Sequence, residues 1–587
     1  MGLPLAVKLH SEGDLAGARA QYERALEQGQ FKPILFQNYG ALLRSIGEKD
    51  KALEIYAQGL EQYPGNIEIT TNKANLLMYS APAHALNLFL AIIRHRLVHD
   101  KSYKENKALT SALVSAVTIL REMGCISWAI ELIKLSSSIV GLNPPLMLNL
   151  MLLLDHSAPS EEPIAGVISD ELFVELEKGM DSYSKVEQAE IRFGLAAHLI
   201  SNFDVPSSIK QYNKALLCLA NQDDFTEEDI ERARKSYNMN AWNFSNSLIR
   251  KQEFVQGWKL YEFGLQTPAH GTQRWQRSLS KPFFRSEVEL WNGCSLASKS
   301  LLLLEEQGIG DVMQFISLVP TLLNEASEIG LFVSERLKPV YRKSFSDYIV
   351  DGRLKVFSHL DAINGKLRSD VYDYQSPLGS IVQYRFDHPT KFHPKTPILK
   401  CDSHSRDLLR QQYLERFPNV KNIVGISWRG GGRGDRIKQK SLDLNDFIGF
   451  ISGFEDTLFL SLQYGEDGTS VEIMKKHVKN VLYDPRFNAL KDLDSWHNQV
   501  ACCDGVLSVA NTTVHGSGGL NIPTQCLLSN HADWRWLSDP SITRSYWYPS
   551  VGICRQDPAT ASWDSAKMSV RKWLGSNCPY PTGKYYN

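Results

Sequence analysis

Three segments of this chain gather residue types that hold anions. In the first, Gly505 to Val509 is an apolar run that reads as a buried strand, and Asn511, Thr512, Thr513 and His515 follow it ahead of a glycine-rich stretch. Asn and Thr are turn and helix-cap types, and a helix start turns unpaired backbone N–H groups toward a phosphate. His515 is then a candidate phosphate donor, set against the plainer reading of a structural histidine. In the second segment, Arg429, Gly430, Gly431, Gly432, Arg433, Gly434, Asp435 and Arg436 follow the apolar NIVGISW, with Lys438 and Lys440 beyond. Guanidiniums engage phosphate oxygens in pairs, and glycines let the backbone come close; a solvated flexible loop is the alternative. In the third, Gly308, Ile309, Gly310 and Asp311 follow the apolar run Leu301 to Leu304. Asp311 at a helix start is a candidate general base for an attacking hydroxyl, and equally an ordinary helix cap. Glu305 and Glu306 are the second choices.

Two further groups lie after apolar runs. Gln463 and Tyr464 close FLSLQ and offer an amide and a ring to a base or ribose. Asp533, Trp534, Arg535 and Trp536 combine a carboxylate, a guanidinium and two indoles, which suits either a stacking wall for a ligand or a packed surface loop. Familiar nucleotide signatures are missing. Gly308 and Gly310 do not complete GxGxxG, and no GxxxxGK[ST] occurs, so a dinucleotide oxidoreductase and a P-loop NTPase are disfavoured.

These residues need a scaffold that brings the ends of several strands together. SLLLLEEQGIGDVMQFISLVP reads as strand, loop and helix, and IGLFVS, LKVF and VYDY read as later strands of the same sheet. Residues 401–418 form a charged helical segment. A second sheet takes in NIVGISW, TLFLSLQ, NVLY, GVLSVA and TQCLLS. Two doubly wound parallel sheets with a cleft between them are expected.

The first half repeats. Gly13, Ala18, Tyr22 and Leu26 recur as Gly47, Ala52, Tyr56 and Leu60, each 34 residues later, the period of tetratricopeptide repeats. Ala85 and Phe89 continue the series after a one-residue loss, and echoes follow at Ala129 and Ile133, at Ser208, Tyr212 and Ala215, and at Gly257, Tyr261 and Leu265. A small residue lets two helices approach, and an aromatic four positions on fills the gap. The expected organisation is a helical-repeat superhelix over 1–270, a connector over 271–290, and two Rossmann-like domains over 291–415 and 416–587, the last helix crossing back. The concave face of the superhelix would hold a protein, or the array would merely brace the second half.

Composition narrows the classes. The 64 Lys and Arg nearly balance 65 Asp and Glu, so no overall field draws the chain to nucleic acid or anionic membrane. Nine cysteines, without CxxC or Cys/His ligand spacing, suggest reduced thiols, a cytoplasmic setting and no metal. The N-terminal residues carry no signal-peptide core, and the most apolar stretches, such as Pro145 to Leu154, are too short to span a bilayer.

Jointly, EQGIGDVMQF, GISWRGG, LSLQYG, NTTVHGSGGLNIPT, ADWRW and WYPSVGICRQ, preceded by the repeat-end phrase GWKLYEFGL, resemble GT-B glycosyltransferases of the heptosyltransferase-like group fused to tetratricopeptide repeats. The likeness covers nearly the whole chain and extends to repeat-fused flagellin and protein glycosyltransferases. It implies a nucleotide-diphosphate sugar as donor substrate, no cofactor or metal, and inversion at the sugar carbon. It also implies Asp311 as base and a donor site that includes Gly310, Arg429, Gly430, Gln463, Tyr464, Asn511, Thr512, Thr513, His515, Asp533 and Trp534. The acceptor would be a Ser or Thr hydroxyl of a protein held by the repeats. Transfer to a surface polysaccharide or lipopolysaccharide, and a scaffold with a degenerate transferase domain, are the alternatives. One departure stands out: relatives commonly place Asp where this chain has Ala510, which leaves open whether that acid is dispensable or the donor differs. The sugar, the nucleotide and the oligomeric state are not legible.

Overall fold

The computed structural model describes residues 2–584 except 13, 47, 79, 100–105, 142, 155–164, 203, 266–276, 278–287, 392–396, 432–436, 438–439, 466–467, 531 and 559. The described residues fall into two compact units, one within Met1–Asn240 and the other within Ala241–Leu265 together with Gln276–Asn587.

The first unit is helical. Consecutive helices pack as pairs, among them Gly2–Ser11 with Leu15–Glu27, Pro33–Ser45 with Lys49–Gln62, Ile67–Leu77 with Pro82–His99, and Lys185–Ser201 with Val205–Ala220. The repeated small and aromatic positions fall in the second helix of these pairs and are buried: Ala18 and Tyr22, Ala52 and Tyr56, Ala85 and Phe89, and Tyr212 with Ala215. Gly40 shows why the small residue matters. A methyl group there would lie 2.2 Å from the Tyr56 ring, so a larger side chain would push the two helices of that pair apart.

The last repeat-like stretch behaves differently from the expectation that the helical region runs to about 270. Residues 241–265 belong to the second unit, because their apolar side chains share its core. Trp258 meets Trp534 edge-on at 5.3 Å, and Tyr261 meets Phe315 at 6.4 Å. A buried ion pair fixes this stretch further. Fully buried Arg277 donates to Glu306 through Nε at 2.8 Å and Nη2 at 2.5 Å, and to Glu262 through Nη1 at 2.6 Å.

Two parallel sheets build the rest. The first comprises β1 (Glu289–Leu290), β2 (Ser300–Leu304), β3 (Glu328–Phe332), β4 (Leu354–Phe357) and β5 (Tyr374–Pro377), in the order β1-β5-β2-β3-β4. The second comprises β6 (Asn422–Ser427), β7 (Thr457–Ser461), β8 (Val481–Leu482), β9 (Gly505–Val509), β10 (Thr524–Leu528) and β11 (Val551–Arg555), in the order β11-β10-β9-β6-β7-β8. Strands β2 and β9 are buried along nearly their whole length, as their unbroken apolar runs require of a parallel sheet covered on both faces.

Local differences from the sequence reading have long-range causes. The strand expected at VYDY starts three residues later, because Tyr374 is the first residue with partners on both sides, in Glu289 and Leu301. Asp373 just before it instead accepts from the backbone N and the hydroxyl of Ser300, both at 2.9 Å. Helix Ser403–Arg416, placed by the sequence at the end of the first sheet domain, packs on the second sheet: Arg410 donates to the Cys502 carbonyl at 2.7 Å, and the Tyr413 hydroxyl to Asp484 at 2.8 Å. The final helix, Asp564–Gly575, does not cross back, since Val570, Trp573 and Leu574 lie in one core with Ile426, Phe447 and Phe450 of the second sheet domain.

Candidate functional site

Each sheet has a topological switch point, where the chain leaves a central strand to either side and the loops part to leave a crevice at the carboxyl ends of the strands. In the second sheet it lies between β6 and β9, and in the first between β2 and β5. Residues after β6 include Arg429 and Gly430; residues after β9 include Asn511, Thr512 and Thr513. Asp311 follows β2. The sequence motifs therefore sit where open α/β sheets bind ligands.

Asn511 organises the second crevice. It caps helix Thr512–Gly519, its Oδ1 accepting from the Thr513 N–H at 2.8 Å, while its Nδ2 donates to the Ser427 hydroxyl at 2.7 Å and the Arg429 carbonyl at 3.0 Å. The side chain thus ties the end of β6 to the end of β9. This narrows the anion-binding role expected of the turn. The Thr513 N–H is already used, and the Val514 N–H donates to the Asn511 carbonyl at 3.1 Å, so the N–H and hydroxyl of half-buried Thr512 are what this turn offers a ligand. The buried Thr513 hydroxyl has no hydrogen-bond partner among the described residues. Ala510 packs at the edge of the core.

Gln463 is also spent on the scaffold. Its Oε1 accepts from the Ser427 hydroxyl at 3.0 Å, the Trp428 N–H at 3.1 Å and the Arg429 N–H at 2.8 Å. Its Nε2 donates to the Arg429 and Tyr464 carbonyls, both at 3.2 Å. The amide expected to read a base or ribose therefore sets the turn that carries Arg429. Beside Tyr464, a hollow lined also by Phe487 and Trp496 holds about 10 Å³, room for one water and too small for a base. Replacing Gln463 with Leu removes the acceptor of two backbone N–H groups and of the Ser427 hydroxyl proton, and is expected to destabilise the second unit by about 2–3 kcal/mol, read as a lower denaturant midpoint.

Arg429 is exposed and reaches the Gly465 carbonyl with Nη2 at 3.2 Å. Gly430 lies under the returning arm of its loop: a methyl there would sit 2.6 Å from the Lys440 Cβ, and its N–H donates to the Ser441 hydroxyl at 3.0 Å. The rest of the expected basic loop, with Arg433, Arg436 and Lys438, lies outside the described residues.

His515 is buried. Its Nδ1 lies 3.2 Å from the Tyr548 hydroxyl, which in turn donates to the Met313 carbonyl at 3.2 Å. Tyr548 has one proton, so with that proton on Met313 the imidazole carries its own on Nδ1 and presents a bare Nε2. Burial lowers its pKa to about 4, partly opposed by Asp533. At neutral pH, His515 is thus uncharged and an acceptor at Nε2, which suits a ligand hydroxyl better than the phosphate expected from sequence.

Helix Ile309–Phe315 packs on helix Thr512–Gly519, and Gly310 makes the contact: a methyl there would lie 2.9 Å from His515 Cδ2 and 3.6 Å from the Thr512 hydroxyl. The starts of the two helices, one from each sheet domain, therefore meet. Asp311 caps its own helix by accepting from the Gly308 N–H at 3.0 Å, and it pairs with Arg535. Both readings of Asp311 therefore remain compatible, but its carboxylate already has a cationic partner.

Arg535 is the site residue that sequence reasoning did not single out; its signal was the guanidinium between two indoles after β10. It pairs with Asp311 through Nη2 and with Asp533 through Nη1 at 3.0 Å, and Asp533 also receives Lys440 Nζ at 3.1 Å. Four alternating charges from three loops line the crevice. Trp534 is not a ligand wall: it is buried among Trp258, Tyr261 and Phe315, and the Arg535 guanidinium lies 4.2 Å over its ring. The alternative bases are committed elsewhere. Glu306 holds Arg277 and the Gly379 N–H at 2.8 Å, and Glu305 holds the Ser334 N–H at 2.6 Å.

No known protein-family profile matches the chain. It is 24% identical over 316 residues to Protein FlbA of Caulobacter vibrioides, across 50% of this chain and 48% of FlbA. The chain thus spans about half the length of the curated relative it matches. Among solved structures it resembles the glycosyl transferase family 9 protein of Veillonella parvula, at 10% identity over 49% of this chain and 99% of that one, with a TM-score of 0.35. It also resembles the E. coli ADP-heptose lps heptosyltransferase II, at 10% identity over 47% and 99%, with a TM-score of 0.32. Superpositions this loose leave the architecture to rest on the two parallel sheets described above. No helix among the described residues is long and apolar enough to cross a membrane.

Proposed function

We propose that the second unit transfers a glycosyl group from a nucleotide-diphosphate sugar to an acceptor hydroxyl. The observation that carries this reading is the meeting of two helix starts, Gly308–Asp311 and Asn511–Thr513, at the carboxyl edges of two parallel sheets, with Arg535 and Lys440 beside them. Such a crevice supplies the two things the reaction needs: cations and N–H groups for a leaving diphosphate, and a carboxylate for the attacking hydroxyl. His515 Nε2, an acceptor, suits a sugar or acceptor hydroxyl at the same place. The sequence motifs that resemble heptosyltransferase-like enzymes supply most of these groups.

The finer reading is an inverting, metal-independent transfer to Ser or Thr of a protein recruited by the helical unit. Its support is the 34-residue repeat, which suits stacked helix pairs and a face that holds a polypeptide. The test is a screen of nucleotide sugars for release of the free nucleotide, with and without candidate acceptor proteins, followed by the acceptor's intact mass. Release that depends on a protein acceptor, with a mass gain of one sugar, is expected. Release that responds only to glycan or lipid acceptors would replace the protein-acceptor reading.

A further inference from the structure

We propose that Arg535 is the cation on which the donor's diphosphate settles, and that the diphosphate takes it from Asp311. The exchange would leave Asp311 free to accept the proton of the attacking hydroxyl. This last step rests on the glycosyl-transfer reading above, whereas the exchange itself is a property of the charges in the crevice.

Arg535 is built to stay in place when Asp311 lets go. Its backbone N–H donates to Asp533 Oδ1 at 3.1 Å, its Nη1 to Asp533 Oδ2 at 3.0 Å, and its guanidinium lies flat over the buried Trp534 ring at 4.2 Å. None of these contacts involves the first sheet domain. Asp311, in contrast, comes from that domain and reaches Arg535 across the crevice. Its other bond, to the Gly308 N–H, lies within its own helix start and does not depend on Arg535. The pair is therefore the exchangeable contact of the four-charge chain.

The energetics favour a diphosphate over the carboxylate. The Arg535 side chain is 12% exposed and that of Asp311 19%, so a guanidinium there needs an anion, and Asp311 supplies one when no ligand is present. A diphosphate carries more charge than a carboxylate and can also reach Lys440, whose present partner is Asp533 at 3.1 Å. In the transfer step the acceptor oxygen bonds to the anomeric carbon as that carbon's bond to the diphosphate oxygen breaks. The nucleoside diphosphate leaves with the electron pair beside Arg535, and the acceptor's proton passes to Asp311. Before the donor binds, Asp311 is held by Arg535, so the base becomes available only once the donor is in place.

The test uses the full chain and inorganic pyrophosphate, followed by calorimetric titration. Asp311→Asn is expected to bind pyrophosphate about fivefold more tightly than the wild type, because a competing ion pair has been removed. Arg535→Lys is expected to bind more weakly, and the double variant no more tightly than Arg535→Lys alone, because Asp311 then has no guanidinium to release. The central comparison does not depend on how well the Arg535 variant folds. Equal or weaker binding by Asp311→Asn would overturn the exchange, as would tightening that persists in the Arg535→Lys background or an absence of pyrophosphate binding in every variant. The exchange is read without any sugar, so its success alongside a failed donor screen would remove the transferase reading alone.

Discussion

Asp311→Asn is expected to lower turnover about a thousandfold while improving donor affinity. The substitution keeps the size of the side chain and an oxygen that can still accept from the Gly308 N–H, so the helix start should hold. It removes the crevice carboxylate whose cationic partner, Arg535, is the one the donor's diphosphate is proposed to take. Glu305 and Glu306 are both buried, the first bound to the Ser334 N–H and beside His359, the second locked to Arg277. A base acts in the chemical step and adds little to ground-state binding, so the loss should fall on kcat rather than KM. Initial rates of nucleotide release against donor concentration separate the two. Unchanged kcat would exclude Asp311 as the base.

Acid is expected to unfold the second unit through two buried histidines. His497 and His515 each have a pKa lowered to about 4 from 6.5, in both cases chiefly by burial. For His497 the Leu493 carbonyl and Asp494 oppose that effect and Lys343 adds to it; for His515 Asp533 opposes it and Lys440 adds to it. His497 Nδ1 lies 2.5 Å from the Leu493 carbonyl, which fixes its proton there, and its buried Nε2 has no partner for a second proton among the described residues. The sign follows from proton counts. Between pH 6.5 and 4 the unfolded chain binds more protons than the folded one, so stability is fully present above about 6.5 and is lost as pH falls toward 4. Each histidine contributes about 3 kcal/mol to that loss, as an order of magnitude. Denaturant midpoints from pH 7.5 to 4.5 should fall steeply for the wild type and less steeply for His497→Gln. Equal slopes would show that His497 does not titrate on unfolding.

What the sequence revealed follows from which interactions are local. Ala18 with Tyr22 and Ala52 with Tyr56 are four residues apart, on one helical face, so their burial could be read from spacing. Strands such as β2 and β9 announced themselves because parallel strands covered on both faces are continuously apolar. The site was half legible for the same reason. Asp311, Asn511 and Arg429 each follow such a strand, so their approximate place was implied. What each side chain does was not implied, because it is decided by a partner far along the chain. Gln463 serves Arg429, 34 residues away; His515 is oriented by Tyr548, 33 away; and Asp311 meets Arg535, 224 away. The packing of helix Ser403–Arg416 was not legible for this reason too, since its anchors, Asp484 and Cys502, are about 70 to 90 residues downstream.

The most direct measurement is release of free nucleotide from a panel of nucleotide sugars incubated with the full chain and candidate acceptors. Release is expected from at least one nucleotide-diphosphate sugar, lowered about a thousandfold by Asp311→Asn and accompanied by transfer of the sugar to an acceptor hydroxyl. Correctly folded protein that neither binds nor consumes any member of the panel would contradict it, and would leave the crevice between the two sheets without the reaction assigned to it.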